Sequence, residues 1–210
     1  RDNITRPYLL EKWEASEDLK TWTLFLREGI KWSNGDDFVS DDVVFTLKEN
    51  LDPEVGSSLV GLMDYLPSTG IETVDDYTVK LHLDRPQIAV PEHLFHYTLQ
   101  ILNRNTFEGD ITEAPVGTGP YTLEEHIPEE RSVLKRREGY WQTGADGEPL
   151  PYLDGITFVD LGEDRAAWVN AFKSGQIDYL RDPQTTEWEA LKDDPEAVVD
   201  AVTTATTRLL

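Results

Sequence analysis

Four histidines, 41 acidic side chains and a scatter of hydroxyls are the groups in this chain that could do chemistry, and their spacing limits what that chemistry can be. His93 and His96 stand three apart with Glu92 in front of them. A zinc-peptidase helix needs two His four apart with a Glu directly after the first, so this order builds no such site. No Gly-x-Ser-x-Gly elbow of a serine hydrolase is present, and Ser174-Gly175 reads as a helix end. Asp36, Asp37, Asp41 and Asp42 crowd together, but without the oxygen-ligand spacing of a helix-loop-helix calcium site. They read as a solvated acidic surface with helix capping. Gly117-Thr118-Gly119 lacks the Lys and the following helix that hold a phosphate; Pro120 and Tyr121 turn it into a strand, so it reads as a turn. The last candidate is Thr203-Thr204-Ala205-Thr206-Thr207-Arg208, small hydroxyls closed by one Arg. In so acidic a chain that Arg is suited to bidentate pairing with a substrate carboxylate; an edge strand whose Arg pairs a neighbouring acid is an equal reading. No nucleophile or acid–base constellation emerges, so no catalytic residue, metal or cofactor is expected. A secreted hydrolase using paired carboxylates is the enzyme alternative, and its mark is two carboxyls of separated pKa in one pocket.

Composition narrows the partners. Asp and Glu number 41 against 19 Lys and Arg, for a formal charge of -22. A small domain carries a net charge of about 2–8 in magnitude. Such an excess repels itself in dilute salt, a condition that halophiles exploit, and we expect a salt-loving prokaryotic source. Nucleic acid is not an expected partner, because phosphate binding is driven by Lys and Arg. Cysteine is absent, so there is no disulfide framework and no thiolate. No run of about 18 apolar residues exists to cross a bilayer. With 210 residues and 39% hydrophobic side chains the chain has enough apolar surface for a sizeable core.

These groups need elements to position them. Asn34-Gly35 supplies the positive φ angles of a primed hairpin turn. Ser40 is a candidate N-cap for a helix over 41–50, with Asp41 and Asp42 at its positive end. Strands are predicted over 21–27, 71–74, 77–83, 99–102, 121–126, 132–136, 156–161 and 177–180, and extended chain over 197–202 and 206–210. Residues 156–161 are so continuously apolar that burial on both faces is expected. Helices are predicted over 57–65, from Pro91 to about Tyr97, over 164–174 with Gly175 as its stop, and from Pro183 to Leu191. Trp13, Trp22, Trp32, Trp141 and Trp168 are expected in the core and Trp188 partly exposed. Strands and helices alternate throughout, so the class is α/β, mixed α+β, with a mixed sheet.

Several segments recur in an order that resembles a known family. They are the Pro7–Asp18 and Thr21–Trp32 runs, Trp32-Ser33-Asn34-Gly35-Asp36, Val74-Asp75-Asp76-Tyr77-Thr78-Val79, Gly117-Thr118-Gly119-Pro120-Tyr121, Arg137-Glu138-Gly139-Tyr140-Trp141 and Phe172-Lys173-Ser174-Gly175-Gln176-Ile177-Asp178. The ordered set is similar to the extracellular solute-binding proteins of family 5, the oligopeptide-, dipeptide- and nickel-binding components of ABC importers. Asn34, Asp37 and Ser40 depart from the residues usual at those surface turn and cap positions. The resemblance implies a partial periplasmic-binding-protein-like type II fold. Residues 1–110 would be the side domain and residues 111–210 the central part of the first lobe, with the second lobe lying beyond them. It further implies a monomeric, non-enzymatic, extracytoplasmic protein that captures peptides or similar solutes and hands them to a membrane permease. Gly117, Thr118 and Gly119 would line the cleft, and the strand with Thr206, Thr207 and Arg208 would enter it. A sensor or adhesion module on the same fold is the third reading.

Overall fold

The computed structural model describes residues 4–113, 115–181 and 183–198. Four strands form an antiparallel sheet in the order β1-β2-β4-β3: β1 (Leu10–Ala15), β2 (Thr21–Leu26), β3 (Ile71–Asp75) and β4 (Thr78–His82). Strict alternation builds β2. Trp22, Leu24 and Leu26 are buried while Thr21, Thr23 and Phe25 are half-buried on the other face, as the two-residue strand period requires. Trp22 pairs with Leu81 and Leu24 with Val79 across the β2–β4 ladder, so the apolar residues of both central strands fall on one face.

Helix α1 (Ser40–Leu51) covers that face with Val43, Val44 and Leu47. Leu59 of α2 (Leu59–Leu62), Met63 and Tyr65 close the far side. Each fully buried Leu or Val contributes roughly 1.5–3 kcal/mol. Gly70 is required where the chain enters β3, because a Cβ there would collide with the carbonyl oxygen of His82. Helix α3 (Val90–Leu94) has its proline in the first turn, where the missing N–H costs nothing.

A second sheet has the order β5-β6-β7, with β5 (Tyr121–Ile127), β6 (Arg131–Arg136) and β7 (Gly155–Val159). Two helices follow, α4 (Arg165–Lys173) and α5 (Thr185–Leu191). Asp164 caps α4 by accepting from the Ala166 N–H at 2.9 Å. Gly175, at φ +71°, ends it. The Gly175 N–H bonds the Phe172 carbonyl and the Gln176 N–H bonds the Ala171 carbonyl, which is the Schellman arrangement. The chain divides into two compact units, residues 1–124 with 133–156, and residues 125–132 with 157 onward.

Several expectations are corrected. Only Gly35 of the Asn34-Gly35 pair has positive φ. The Gly35 N–H bonds the Trp32 carbonyl and the Trp32 N–H bonds the Asp36 carbonyl, so the loop has three residues and a glycine bulge rather than a primed two-residue turn. Ser40 is inside the helix, not its cap; its hydroxyl donates to the Asp75 carbonyl at 2.5 Å. The helix start is held instead by Asp42, whose carboxylate accepts from the Val39 N–H at 3.1 Å. Residues 99–102 form no strand, because the Leu102 N–H is taken by the Thr46 hydroxyl. Residues 177–180 are irregular as well. β7 is not buried on both faces: Phe158 is 52% and Val159 42% exposed. Of the tryptophans, Trp22 and Trp32 are fully buried, Trp13, Trp141 and Trp168 only partly, and Trp188 is exposed as expected. The strand β1 had no counterpart in the sequence reading. The extended segments expected beyond residue 198 lie outside the described residues.

Candidate functional site

The Trp32–Asp36 turn and the Gly117–Gly119 loop, 84 residues apart by their bonded pair Gly117 and Ser33, are stitched together. The Ser33 N–H donates to the Gly117 carbonyl at 2.9 Å. The Gly117 N–H donates to the Ser33 hydroxyl oxygen at 3.3 Å. Arg137, just past β6, donates from Nη2 to the Lys31 and Trp32 carbonyls at 2.7 and 2.8 Å, and from Nη1 to the Gly117 carbonyl at 3.4 Å. Its backbone N–H bonds the Pro120 carbonyl at 2.9 Å. Burial pulls the Arg137 guanidinium below its ordinary value, opposed by the neighbouring Tyr140.

Two carboxylates fix the turn from its other side. Asp36 Oδ2 accepts from the side-chain amides of Asn34, Asn103 and Asn105 at 2.9–3.1 Å. Those bonds, led by Asn105, hold its carboxyl below the ordinary range. Asp42 is fully buried. Its oxygens accept from Trp32 Nε1 at 3.0 Å and from Arg104 Nη1 at 2.7 Å. Asp37 pairs with Lys31, and Asp41 accepts from the Thr73 hydroxyl. The four neighbouring acids thus meet four separate sets of partners. No group of three or more His, Asp or Glu able to hold a metal occurs among the described residues. Each histidine has a hydrogen-bonding side-chain neighbour, His82 with Glu72, His93 with Tyr65, His96 with Thr98 and His126 with Ser132, and the His96 ring also lies against that of Tyr97.

Beside this joint lies an apolar cavity of about 610 Å³. Its floor is core side chains, Leu24, Phe38 and Leu47 among them, and Val116, Gly117, Thr118 and Gly119 form one wall. The volume is that of a small-molecule pocket, roughly 300–1,000 Å³. A second, more polar hollow of about 770 Å³ is lined by Arg27, Glu28, Trp141, Gln142 and Thr143. The Tyr8 and Tyr140 hydroxyls meet nearby at 2.6 Å, and Tyr140 passes its bond to Gln142 at 2.9 Å. Burial first, then the bond with Tyr8, raises the Tyr140 phenol above its ordinary value.

Of the residues singled out from sequence, Gly117, Thr118 and Gly119 are brought together with the Asn34-Gly35 turn. Thr206, Thr207 and Arg208 lie outside the described residues. Sequence reasoning missed Arg137, Asp42 and the Asn103–Asn105 amides. Arg137 stood inside a noted segment, but nothing local signals that its side chain reaches carbonyls more than a hundred residues away. Asp42 was legible only as an acid in a helix's first turn.

The model of the bacterial extracellular solute-binding proteins, family 5 (middle), matches residues 5–210. The periplasmic oligopeptide-binding protein OppA of Haemophilus influenzae is 30% identical over 193 residues, covering 82% of this chain and 35% of its own length. The solved structure of the binding protein MoaA from A.tumefacien R10, in complex with mannopinic acid, superposes with a TM-score of 0.82 at 30% identity, over 95% of this chain and 40% of that one. DppA from Helicobacter pylori in complex with the peptide STSA gives a TM-score of 0.77 at 25% identity, over 92% and 41%. The chain therefore spans about a third of the length of the curated relatives it matches. Its fold is part of the periplasmic-binding-protein-like α/β fold of these proteins.

Proposed function

The chain belongs to the bacterial extracellular solute-binding proteins of family 5, and on that footing we propose that it is part of the substrate-binding component of an ABC importer. The protein captures a peptide or similar solute outside the cell and delivers it to a membrane permease, as a monomer and without catalysing a reaction. The carrying observation is the ordered match over residues 5–210 together with relatives whose names specify oligopeptide, di- and tripeptide, and glutathione binding. Residues 1–110 serve as the side domain and residues 111–210 as the central part of the first lobe. The wall from Gly117 to Gly119 contributes backbone groups to the solute. Thr206, Thr207 and Arg208 supply further contacts, the Arg pairing with a peptide carboxylate. Main-chain recognition of this kind tolerates many side chains. The charge of -22 supports a source in a salt-rich habitat, where screening relieves self-repulsion.

The test is calorimetry on the complete secreted polypeptide with a panel of two- to nine-residue peptides. The expected result is reversible binding of at least one peptide at about micromolar affinity or tighter, which is roughly -8 kcal/mol, with every peptide recovered intact. Cleavage of the added peptides would refute the reading, and binding of none of them would refute peptides as the solute. The 210-residue chain alone should bind peptides weakly or not at all.

A further inference from the structure

Three carbonyl oxygens, those of Lys31, Trp32 and Gly117, converge on one guanidinium. They belong to two segments that hydrogen-bond to each other through Ser33 and Gly117. A lysine ammonium is a compact point charge on a flexible stem, whereas the rigid five-donor fork of arginine spans several acceptors at once. Arg137 also grips the loop from its own backbone, since its N–H bonds the Pro120 carbonyl. Residue 137 therefore holds the 117–120 loop at both ends of that loop, once by main chain and once by side chain. The loop needs such a hold. Gly117 and Gly119 have no side chain with which to pack, and glycine-rich chain has the most conformational freedom to lose on ordering.

We propose that Arg137 is a positioning residue, which locks the Gly117–Gly119 loop onto the Trp32–Asp36 turn so that the Val116–Gly119 cavity wall meets a solute in one fixed geometry. Arg137 does this without touching the solute. The inference rests on the reading of that wall as a solute contact. Backbone groups that recognise a ligand are useful only when their directions are set beforehand by neighbouring bonds. Here those bonds are the Ser33–Gly117 pair and the three carbonyl contacts of Arg137. The same joint makes the turn and the loop move as one body, so a change in the turn is felt at the cavity wall.

Amide hydrogen exchange by NMR on the 210-residue chain tests the lock without any solute. In Arg137→Lys the Ser33 and Gly117 amides should exchange faster by about tenfold or more, while those of Leu24 and Val79 in the central strands stay as they were. Unchanged exchange at Ser33 and Gly117 overturns the proposal. So does a uniform rise at all four, which would mean that Arg137 serves overall stability and not the joint. If the variant does not fold, the unmutated chain decides: the Arg137 guanidinium should show separate, slowly exchanging Nη protons, and a single averaged signal overturns the lock. Peptide calorimetry on the complete protein then separates the two claims. A loosened joint with weakened peptide affinity supports both. A loosened joint with unaltered affinity overturns the positioning role through failure of the wall reading, while the exchange data show that the lock itself exists.

Discussion

The two units of this chain bury very different things. The unit of residues 1–124 and 133–156 packs β2, β4 and α1 around Trp22, Leu24, Trp32, Phe38, Leu47, Val79 and Leu81, all at most 4% exposed. In the unit of residues 125–132 and 157 onward, Ala171 and Leu191 are the only buried hydrophobic residues among those described. That unit instead buries Glu187, fully enclosed with neither carboxylate oxygen hydrogen-bonded. Arg165 Nη1 lies 3.2 Å from Glu187 Oε1 in an ion pair whose geometry does not make a hydrogen bond. The first unit also has a buried acid, but Asp42 receives hydrogen bonds from Trp32, Val39 and Arg104. A buried charge is tolerated when its lone pairs are satisfied and costly when they are not. The difference shows what makes the first unit a rigid frame for the cavity: an apolar core plus a satisfied polar hub beneath the turn.

Breaking the core should have the largest effect. Trp32→Ala removes a buried indole and the donor to Asp42, and should cost about 3–5 kcal/mol in denaturant unfolding. Asp42→Ala leaves the Trp32 N–H and the partly exposed Arg104 without their acceptor, for an expected loss of about 2–4 kcal/mol. The contrast sharpens with Glu187→Leu, which removes a buried carboxyl that accepts no hydrogen bond. It should leave stability unchanged or raise it, by up to about 1–4 kcal/mol; a loss comparable to that of Asp42→Ala would erase the distinction between the two acids. Smallest is Glu129→Gly. Glu129 sits at φ +59° after Pro128, a pattern that calls for glycine at the third turn position. Relief of that strain should give a gain of a few tenths to about 1 kcal/mol, read from the thermal midpoint.

The turn adds a pH dependence. The Asp36 carboxyl is lowered by its three amide donors. A carboxyl with a depressed folded pKa contributes stability that is fully present above the unfolded value and is lost as pH falls through the folded one. Asp36→Asn should therefore be less stable than the parent at neutral pH, and the gap should close below the ordinary carboxylate range. A gap that is constant across that range would contradict this role.

Legibility in the sequence followed burial. β2, β4 and α1 carry clear periods of two and 3.6 because one side of each is dry, and they were placed to within a residue or two. β1 was missed because Glu11, Lys12 and Glu14 are exposed and only Leu10 and Trp13 lean inward, which leaves no alternation. Apolar content misled at β7, where Phe158 and Val159 are exposed. Ser40 and Asp42 exchanged roles because a distant acceptor, the Asp75 carbonyl, captured the serine hydroxyl. The Gly117 loop was recognised by its motif, but its joint with Ser33 and Arg137 is a tertiary fact with no local signal.

Amide exchange across the whole chain tests the central contrast most directly. The account predicts that Leu24, Val79 and Leu81 exchange last, near the global unfolding limit, while the amides of α4 and α5 exchange by local opening, faster by about a hundredfold or more. Equal protection in both units would show that the second is as well supported as the first, and would contradict the division on which the account rests.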